Sequence, residues 1–475
     1  MVKAPRKTAL RSLPSVDALL RHPGLAEALA VLPRALLVEA VRAEIAVARK
    51  AAAGPGSAVR GVDEMVRLAV ARARAAHTPQ LVRVLNATGI VLHTNLGRSP
   101  FSEPARRAIE EVARGYSSLE FDVATGKRGQ RGSGAEAWLT RLTGAEAAVI
   151  VNNGAAAILL ALSALAAGKR VVVSRGELVE IGGSFRVPDV MEKSGARLLE
   201  VGTTNRTHLS DYARALDGHD DIGAILRVHP SNFRIAGFTA RPSVPELAAL
   251  ARRHKVPLIE DLGSGALIDL ATLGLESEPT VRDSLTAGCD VVTFSGDKLL
   301  GSSQAGLVLG RKRFVDRIRR DPLARALRVD KLTLAALEAT LPAYLEPDRA
   351  QREIPALAML HTPTDILERR ARQVAATLAR LAPDLRLDVV RGDGEVGGGA
   401  LPVTRLPGFV VTLEDPKRTA DELETLARTA VPPVIGYIRE RRFRLDVRTL
   451  TDLEADEAAH TIARARHERA GTERE

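Results

Sequence analysis

Cysteine and aromatic residues are scarce in this chain, and both scarcities restrict what it can be. Cys289 is the single cysteine among 475 residues, so a disulfide within the chain and a metal site of several thiolates are excluded. This usage is typical of a reducing compartment, and we predict a cytoplasmic protein. Phe, Trp and Tyr together make up 3% of the residues, and we therefore expect a core of valine, leucine, isoleucine and alanine.

Long hydrophobic runs are also missing. The first 20 residues, MVKAPRKTALRSLPSVDALL, are basic and hold no apolar stretch like that of a signal peptide. The apolar runs elsewhere are too short or too interrupted to span a bilayer. Because hydrophobic residues still make up 45% of the chain, we predict a globular protein that does not associate with membranes.

Positive charge exceeds negative charge in this sequence. The chain has 68 Lys and Arg residues against 58 Asp and Glu residues, a net charge of +10. This balance suits an anionic partner such as RNA or a phosphorylated substrate. A source with a basic-shifted composition would give the same total, so charge alone leaves both explanations open.

The order of sequence patterns predicts three regions. Residues 1–75 lack strand signals, and Leu37, Val41 and Ile45 recur at helical spacing. The run AAAGPGSAVRG at 51–61 interrupts this pattern like a linker. The predicted regions are 1–75, an N-terminal helical module; 76–330, a large α/β domain with a linker region at 76–135; and 331–475, a helical connection and a small C-terminal α+β domain.

Short β-rich runs alternate with helical stretches after residue 135. Nearly continuous apolar strands separated by helices predict one mostly parallel sheet, covered on both faces. The seven predicted strands of this sheet are AAVIV (147–151), RVVVS (170–174), RLLEV (197–201), GAILRV (223–228), VPLIE (256–260), VVTFS (291–295) and GLVLG (306–310). The small domain has predicted strands at LRLDVV (385–390), GFVVTL (408–413) and RFRLDV (442–447).

Two glycine-containing runs imitate phosphate-binding motifs. GDGEVG at 392–397 matches the dinucleotide fingerprint, but GGALPVTRLPG follows it and cannot begin the helix that a pyrophosphate requires. ATGKRG at 124–129 has Phe121 where a P-loop needs its first glycine, and no Ser or Thr follows Lys127. We therefore predict that neither run binds a nucleotide.

Three strand ends carry the residues that indicate chemistry. After AAVIV, the residues Asn153, Gly154 and Ala155 turn the chain into an alanine-rich helix, whose first N–H groups can bind an anion. Asp261 ends another strand before a Gly-Ser-Gly turn, and Lys298 follows the strand VVTFS at once. Because ligands of open α/β sheets bind at the carboxyl ends of strands, we expect these features to meet.

One cofactor, pyridoxal 5′-phosphate, requires all three features. Its phosphate needs N–H and hydroxyl donors, and Ser295 can add a hydroxyl to the turn. Its ring nitrogen needs a carboxylate such as Asp261, and its aldehyde needs a lysine such as Lys298. Taken alone, the turn could be an ordinary strand-to-helix connection and the lysine a solvated side chain. Their order along the chain favours the cofactor, and we predict no metal.

Longer motifs resemble a known family. LNATGIVLHTNLGRSP, YSSLEFDVATGKRGQRG, VNNGAAA, SRGELVEIGGSFRVPDVM, EDLGSG and FSGDKLLGSSQAG are similar to segments of the bacterial L-seryl-tRNA(Sec) selenium transferases, also called selenocysteine synthases. LPSVDALL resembles the N-terminal module of the same family, so the resemblance covers nearly the whole chain. Ser302 and Ser303 stand where many members have a Gly-Pro pair, which affects the stiffness of this loop.

The resemblance implies a fold-type I pyridoxal phosphate enzyme. Such an enzyme converts L-seryl-tRNA(Sec) into L-selenocysteinyl-tRNA(Sec) by β-elimination to aminoacrylyl-tRNA and addition of selenium from selenophosphate. It also implies that Lys298 forms the Schiff base and that Arg98, Arg325 and Arg328 line the selenophosphate pocket. On a helix, the last two arginines would share a face. The family further implies an N-terminal module that contacts tRNA, and a homo-oligomer that is at least a dimer and in bacteria a decamer.

Other functions remain open at this point. A related pyridoxal phosphate lyase of a small amino acid or sugar acid would keep the cofactor motifs but would not need the N-terminal module. An RNA-binding protein without catalysis would not need Lys298 and Asp261. An aminotransferase is a third alternative, although no motif specifically demands a dicarboxylate substrate.

Several polar residues have no settled role in the sequence. Asp297 either orients the lysine, or contacts the cofactor, or caps a helix that follows it. His229 either contacts cofactor or substrate or is a structural histidine. His93 is similarly ambiguous, and Glu177 receives no role. The basic run KRGQR at 127–131 is a candidate contact for tRNA or for a partner subunit.

Overall fold

The computed structural model describes residues 13–53, 60–181 and 185–472. The chain divides into two compact units, residues 1–83 and 84–475. Most of the predicted linker at 51–61 lies outside the described residues. None of the described helices is both long and apolar enough to cross a membrane.

The first unit is built from helices alone in its described part. Leu37, Val41 and Ile45 are buried as their spacing predicts, and they share a core with Met65 and Ala69 of the last helix. This core is closed by the two longest helices, which pack against each other. The four helices are α1 (Val16–Leu20), α2 (Pro23–Leu29), α3 (Arg34–Ala53) and α4 (Val62–His77).

The second unit alternates strands and helices. Its strands are β1 (Leu85–Asn86), β2 (Ile90–Leu92), β3 (Phe121–Asp122), β4 (Lys127–Arg128), β5 (Ala147–Val151), β6 (Arg170–Ser174), β7 (Glu180–Ile181), β8 (Phe185–Arg186), β9 (Arg197–Val201), β10 (Ile222–Val228), β11 (Leu258–Gly263), β12 (Val291–Ser295), β13 (Gly306–Gly310), β14 (Arg386–Gly397), β15 (Arg405–Glu414), β16 (Val434–Ile435), β17 (Tyr437–Arg439) and β18 (Arg442–Asp446).

The helices of this unit cover both faces of its large sheet and support the small one. They are α5 (Glu103–Ala113), α6 (Ser133–Thr143), α7 (Gly154–Ala166), α8 (Val187–Lys193), α9 (Leu209–Asp217), α10 (Val244–His254), α11 (Val281–Ala287), α12 (Lys312–Arg320), α13 (Pro322–Ala326), α14 (Lys331–Thr340), α15 (Pro347–Glu353), α16 (Pro355–His361), α17 (Thr364–Leu381), α18 (Ala420–Arg428) and α19 (Asp452–Thr472). Short 3₁₀ turns lie at Thr94–Leu96, Arg175–Glu177, Leu270–Leu273 and Leu341–Leu345.

The large sheet has seven strands in the order β5-β13-β12-β11-β10-β6-β9. All neighbouring pairs are parallel except the two that include β13. Val171 and Val173 pack into one hydrophobic core, and Val172 between them packs into another. The sheet is therefore buried on both faces, which confirms the predicted mostly parallel architecture.

The small sheet recruits a strand from far away in the sequence. Its order is β17-β18-β15-β14-β2, with β2 parallel to β14, and β1 pairs separately with β16. The segment just before His93 is thus built into the C-terminal part of the fold, which the sequence analysis did not foresee. GDGEVG forms the end of the long strand β14, and the next element is strand β15. The helix that a pyrophosphate-binding motif needs therefore does not follow this run.

Candidate active site

The turn after β5 forms a cradle for an anion. Asn153 caps helix α7, and its side-chain oxygen accepts a hydrogen bond of 2.8 Å from the N–H of Ala156. The N–H groups of Gly154 and Ala155 lie in the first helical turn, where backbone donors have no partner inside the helix. A Cβ on Gly154 would overlap the hydroxyl of Ser295. Glycine thus allows the donors and this hydroxyl to converge, as a phosphate group requires.

Lys298 is buried at the carboxyl end of β12, with 6% of its surface exposed. Burial and, next, the positive charge of Arg98 lower the pKa of its amine. Arg98 donates a hydrogen bond of 2.6 Å to Asp297 and has a left-handed φ of 57°, which is costly for a residue with a side chain. Residues 296–300 form a turn, so the alternative that Asp297 caps a following helix is wrong.

Asp261 lies near Lys298 on the neighbouring strand β11. Its Oδ1 accepts a hydrogen bond of 2.9 Å from the hydroxyl of Thr293. Burial raises the pKa of Asp261 to about 6, although Thr293 and Lys298 oppose this shift. A cationic ring nitrogen facing this carboxyl would favour its ionised form again. The residue therefore suits the role predicted for it.

Buried polar atoms without a hydrogen-bond partner gather near Lys298. Ser231 Oγ and Lys298 Nζ both lie within 4 Å of the position a Cβ would take on Gly263. His229 Nδ1 lies 3.6 Å from Oε1 of Glu278, and neither atom has a hydrogen-bond partner among the described residues. Since buried polar groups are normally satisfied, such atoms indicate a polar ligand. The residues thus fit pyridoxal phosphate, and they include Glu278, which the sequence analysis missed.

His229 is uncharged in this environment. Burial, followed by the charges of Arg227 and Arg241, lowers the pKa of His229 to about 4. Its backbone N–H donates a hydrogen bond of 2.9 Å to the carbonyl of Asp261. The backbone of His229 is therefore held against that of Asp261, and the neutral ring has an Nδ1 without a hydrogen-bond partner among the described residues. A contact of His229 with cofactor or substrate stays a prediction.

Gly399 is a further residue that the sequence analysis did not single out. It lies in the loop between β14 and β15 with a left-handed φ of 88°, and a Cβ there would overlap Nζ of Lys298. The loop of the small sheet therefore comes close enough to touch the lysine only because residue 399 has no side chain.

We expect Gly399→Ala to displace the Lys298 side chain and to lower turnover by roughly 10- to 100-fold. Gly144→Ala is the matched control, because Gly144 has a φ of 80° but nothing within 4 Å of its Cβ position. Both variants should lose about 1–2 kcal/mol of stability through backbone strain. Thermal unfolding measures the loss of stability, and the fixation of cofactor to protein by borohydride measures the displacement of Lys298. Equal fixation in both variants would contradict the displacement.

Arg325 lies in the short helix α13, and Arg328 follows it. They line a cavity of about 440 Å³ that Arg98 does not line, and Arg328 lies 3.5 Å from Glu120. Helix α13 ends at Ala326, so the expectation that both arginines share one helical face is wrong. Just beyond the helix, the carbonyl of Leu327 accepts a hydrogen bond of 3.0 Å from the N–H of Asn152. This bond places the arginine segment next to the anion cradle.

The remaining candidates have structural contacts. Glu177 is buried and accepts a hydrogen bond of 3.2 Å from the N–H of Val228, and burial raises its pKa to about 7. In the run KRGQR, Arg128 and Arg131 both pair with Glu120. No cluster of metal-ligating side chains occurs in the described part of the chain.

Known proteins resemble the chain over most of its length. Residues 84–451 match the family L-seryl-tRNA selenium transferase, and residues 10–49 match the family Selenocysteine synthase N terminal. The L-seryl-tRNA(Sec) selenium transferase of Geobacter sulfurreducens is 49% identical, covering 94% of this chain and 97% of the relative. The protein of the same name from Nitratidesulfovibrio vulgaris is 49% identical, covering 96% and 98%.

A solved structure shares the fold at low identity. D-Glucosaminate-6-phosphate ammonia-lyase superposes with a TM-score of 0.55 at 20% identity, covering 82% of this chain and 96% of the other. This likeness, with the seven-stranded sheet, supports the fold-type I architecture.

Proposed function

Because the chain belongs to the L-seryl-tRNA selenium transferase family, we propose that it converts L-seryl-tRNA(Sec) into L-selenocysteinyl-tRNA(Sec). Its cofactor is pyridoxal 5′-phosphate. The observation that carries this function is the buried amine of Lys298, which lies near Arg98 and Asp261 at the carboxyl edge of the sheet. A replacement at the seryl Cβ needs such an amine beside an electron-accepting group.

The residues at the carboxyl edge of the sheet have different roles in the reaction. Pyridoxal phosphate, when bound, supplies an electron sink for the negative charge that forms at the seryl Cα. Lys298 accepts the Cα proton, because burial and Arg98 lower its pKa and favour the uncharged amine. Asp261 holds a proton at the ring nitrogen, and the cradle of Gly154, Ala155 and Ser295 holds the phosphate.

Selenophosphate is the proposed selenium donor. It is a small, multiply charged anion, and guanidinium groups bind such anions through paired hydrogen bonds. Arg98 lies beside Lys298 and is already held by Asp297. Arg325 and Arg328 are exposed on the segment next to the cradle. We therefore assign these three arginines to the donor, as the family resemblance implies.

The direct test supplies purified, cofactor-loaded protein with L-seryl-tRNA(Sec) and selenophosphate, and identifies the amino acid released from the tRNA. Selenocysteine on the tRNA is the expected product. Free serine replaces the charged tRNA in a parallel reaction, since a small-molecule lyase would act on it. Turnover of free serine without turnover of the charged tRNA would refute the transferase function.

We propose that the N-terminal unit contacts the tRNA. We further propose a cytoplasmic homo-oligomer, which is at least a dimer and, as in the bacterial family, a decameric ring. Residues 1–83 form a compact unit with their own core. The hairpin of β3 and β4 exposes Phe121 and Val123, which is consistent with burial against another subunit.

We expect a chain lacking residues 1–83 to keep its cofactor and to lose affinity for tRNA by at least about tenfold. The measurement compares tRNA binding at two salt concentrations with the visible absorbance of the bound cofactor. Because phosphate contacts release counterions, the salt dependence of binding should also become shallower. Unchanged tRNA affinity would refute the role of this unit.

A further inference from the structure

A cavity of about 350 Å³ lies beside the candidate active site and has no role in the function described so far. Its walls come from three places in the sequence that the fold brings together. They are the segment after β2, the loop between β14 and β15, and the chain after β10. The polar residues that line it are His93, Thr94, Asn95, Asn232, Glu395 and Thr404.

The glycine segment 397–399 separates the cavity from Lys298 and contacts both. Gly399 lines the cavity, and a Cβ there would overlap Nζ of Lys298. Gly398 also lines it, and a Cβ there would lie 2.6 Å from the hydroxyl of Thr94. A ligand in this space therefore lies against the backbone segment that touches Lys298.

The lining suits a neutral polar ligand with one apolar face. No lysine or arginine lines the cavity among the described residues, and the carboxylate of Glu395 is paired with Arg405. Ile90, Leu92 and Leu401 supply apolar surface. An anion such as selenophosphate needs cations, so it belongs with the arginines and not in this space.

Two polar atoms of the lining have unmet hydrogen bonds. His93 Nδ1 and Thr404 Oγ1 are buried and have no partner in the described part of the structure. Burial lowers the pKa of His93, so its ring is neutral near pH 7 and can donate from one nitrogen and accept at the other. Hydroxyls and the edge of a base present the complementary donors and acceptors.

We propose that this cavity binds the 3′-terminal nucleoside of the aminoacyl-tRNA, the nucleoside whose ribose carries the seryl ester. The inference rests on the proposed function and adds the place where the substrate's end is held. Proteins recognise single-stranded RNA ends by stacking the base on side chains and bonding its edges. A volume of 350 Å³ also lies within the range of about 300–1,000 Å³ typical of small-molecule pockets.

The test fills the cavity and measures binding to the cofactor-loaded protein. The probe is 3′-deoxy-3′-(L-serylamino)adenosine, whose amide resists hydrolysis, and the reference ligand is L-serinamide, which lacks the nucleoside. Asn95→Trp places a large side chain on an exposed lining residue. Val403→Trp is the matched control, because Val403 is exposed in the adjoining loop but does not line the cavity.

We expect Asn95→Trp to weaken probe binding by at least about tenfold, and Val403→Trp to change it less than about twofold. Thr404→Val, which removes one unpaired hydroxyl, should weaken the probe by about fivefold. Serinamide should bind all four proteins equally, because Lys298 is intact in each. Calorimetry gives both affinities, and thermal unfolding checks that each variant is folded.

Wild-type affinity of the probe for both Asn95→Trp and Thr404→Val would overturn the inference. Loss of probe and serinamide together would also overturn it, since the effect would then belong to the lysine site. Both results leave the conversion of seryl-tRNA(Sec) by the wild-type protein intact. A wild-type protein that does not convert seryl-tRNA(Sec) instead refutes the proposed function and this inference with it.

Discussion

Lys298→Ala is expected to reduce the turnover of L-seryl-tRNA(Sec) by at least about 1,000-fold, because a positioned general base alone contributes roughly 10²- to 10⁴-fold. The variant also loses the covalent attachment of the cofactor. The protein should remain folded, since the buried amine favours its uncharged form and makes no ion pair among the described contacts. Product analysis measures turnover, visible absorbance and borohydride fixation measure the attachment of the cofactor, and thermal unfolding checks that the variant is folded.

Lys193→Ala is the matched control for this variant, because Lys193 is exposed at the end of helix α8. It should keep wild-type absorbance and turnover. Full turnover by Lys298→Ala would show that another group takes the Cα proton and would remove the basis of the proposed mechanism.

Asp261→Asn is expected to act in opposite directions with and without the cofactor. In the loaded enzyme, the ring nitrogen loses its anionic partner, and turnover should fall by roughly 10²- to 10³-fold. In the cofactor-free protein, the native carboxyl has a pKa of about 6 against 3.8 in the unfolded chain. The stability that this raised pKa provides is complete below about pH 4 and is lost as the pH rises through 6.

The cofactor-free Asp261→Asn protein should therefore be more stable than the wild type at pH 8, by roughly 1–2 kcal/mol. Near pH 4 the difference should be much smaller, because the wild-type carboxyl is then protonated in the native state and partly protonated in the unfolded chain. Urea unfolding of the cofactor-free proteins at the two pH values measures this. Asp220→Asn, at an exposed position, should show neither effect. A wild type that is the more stable protein at pH 8 would contradict the buried carboxyl.

The central sheet could be predicted closely because its strands are short apolar runs between turn residues. Five of the seven strands begin and end where those runs do, and the anion cradle, Asp261 and Lys298 follow from the strand ends. Residues 296–305 form a loop and not the helix that was one alternative after Asp297. In this loop, the N–H of Gly296 donates a hydrogen bond to the carbonyl of Ala305, and the N–H of Ser302 donates one to the carbonyl of Gly296. Such closure depends on the pairing of β12 with β13, which local sequence does not reveal.

Other parts of the site depend on contacts between distant segments. The glycines at 397–399 were noticed only as the end of a rejected nucleotide motif and the start of the segment after it, because their closeness to Lys298 is visible only in the fold. Glu278 belongs to no sequence motif, and only its position near His229 in the fold makes it a candidate site residue. The proposed roles of Arg325 and Arg328 rest on the family resemblance, and their positions follow from the bond between Asn152 and Leu327.

The pairing of β1 with β16 and of β2 with β14 has a consequence for synthesis of the protein on the ribosome. Leu85 pairs with Val434, and Leu92 pairs with Gly397. The segment that carries His93 and Arg98 emerges early but receives its anchoring strands only when nearly the whole chain has been made. An incomplete nascent chain can assemble the sheet that bears Lys298 while the segment with His93 and Arg98 still lacks its partner strands β14 and β16. We expect such long-range pairing to make the closure of the small sheet the last folding step.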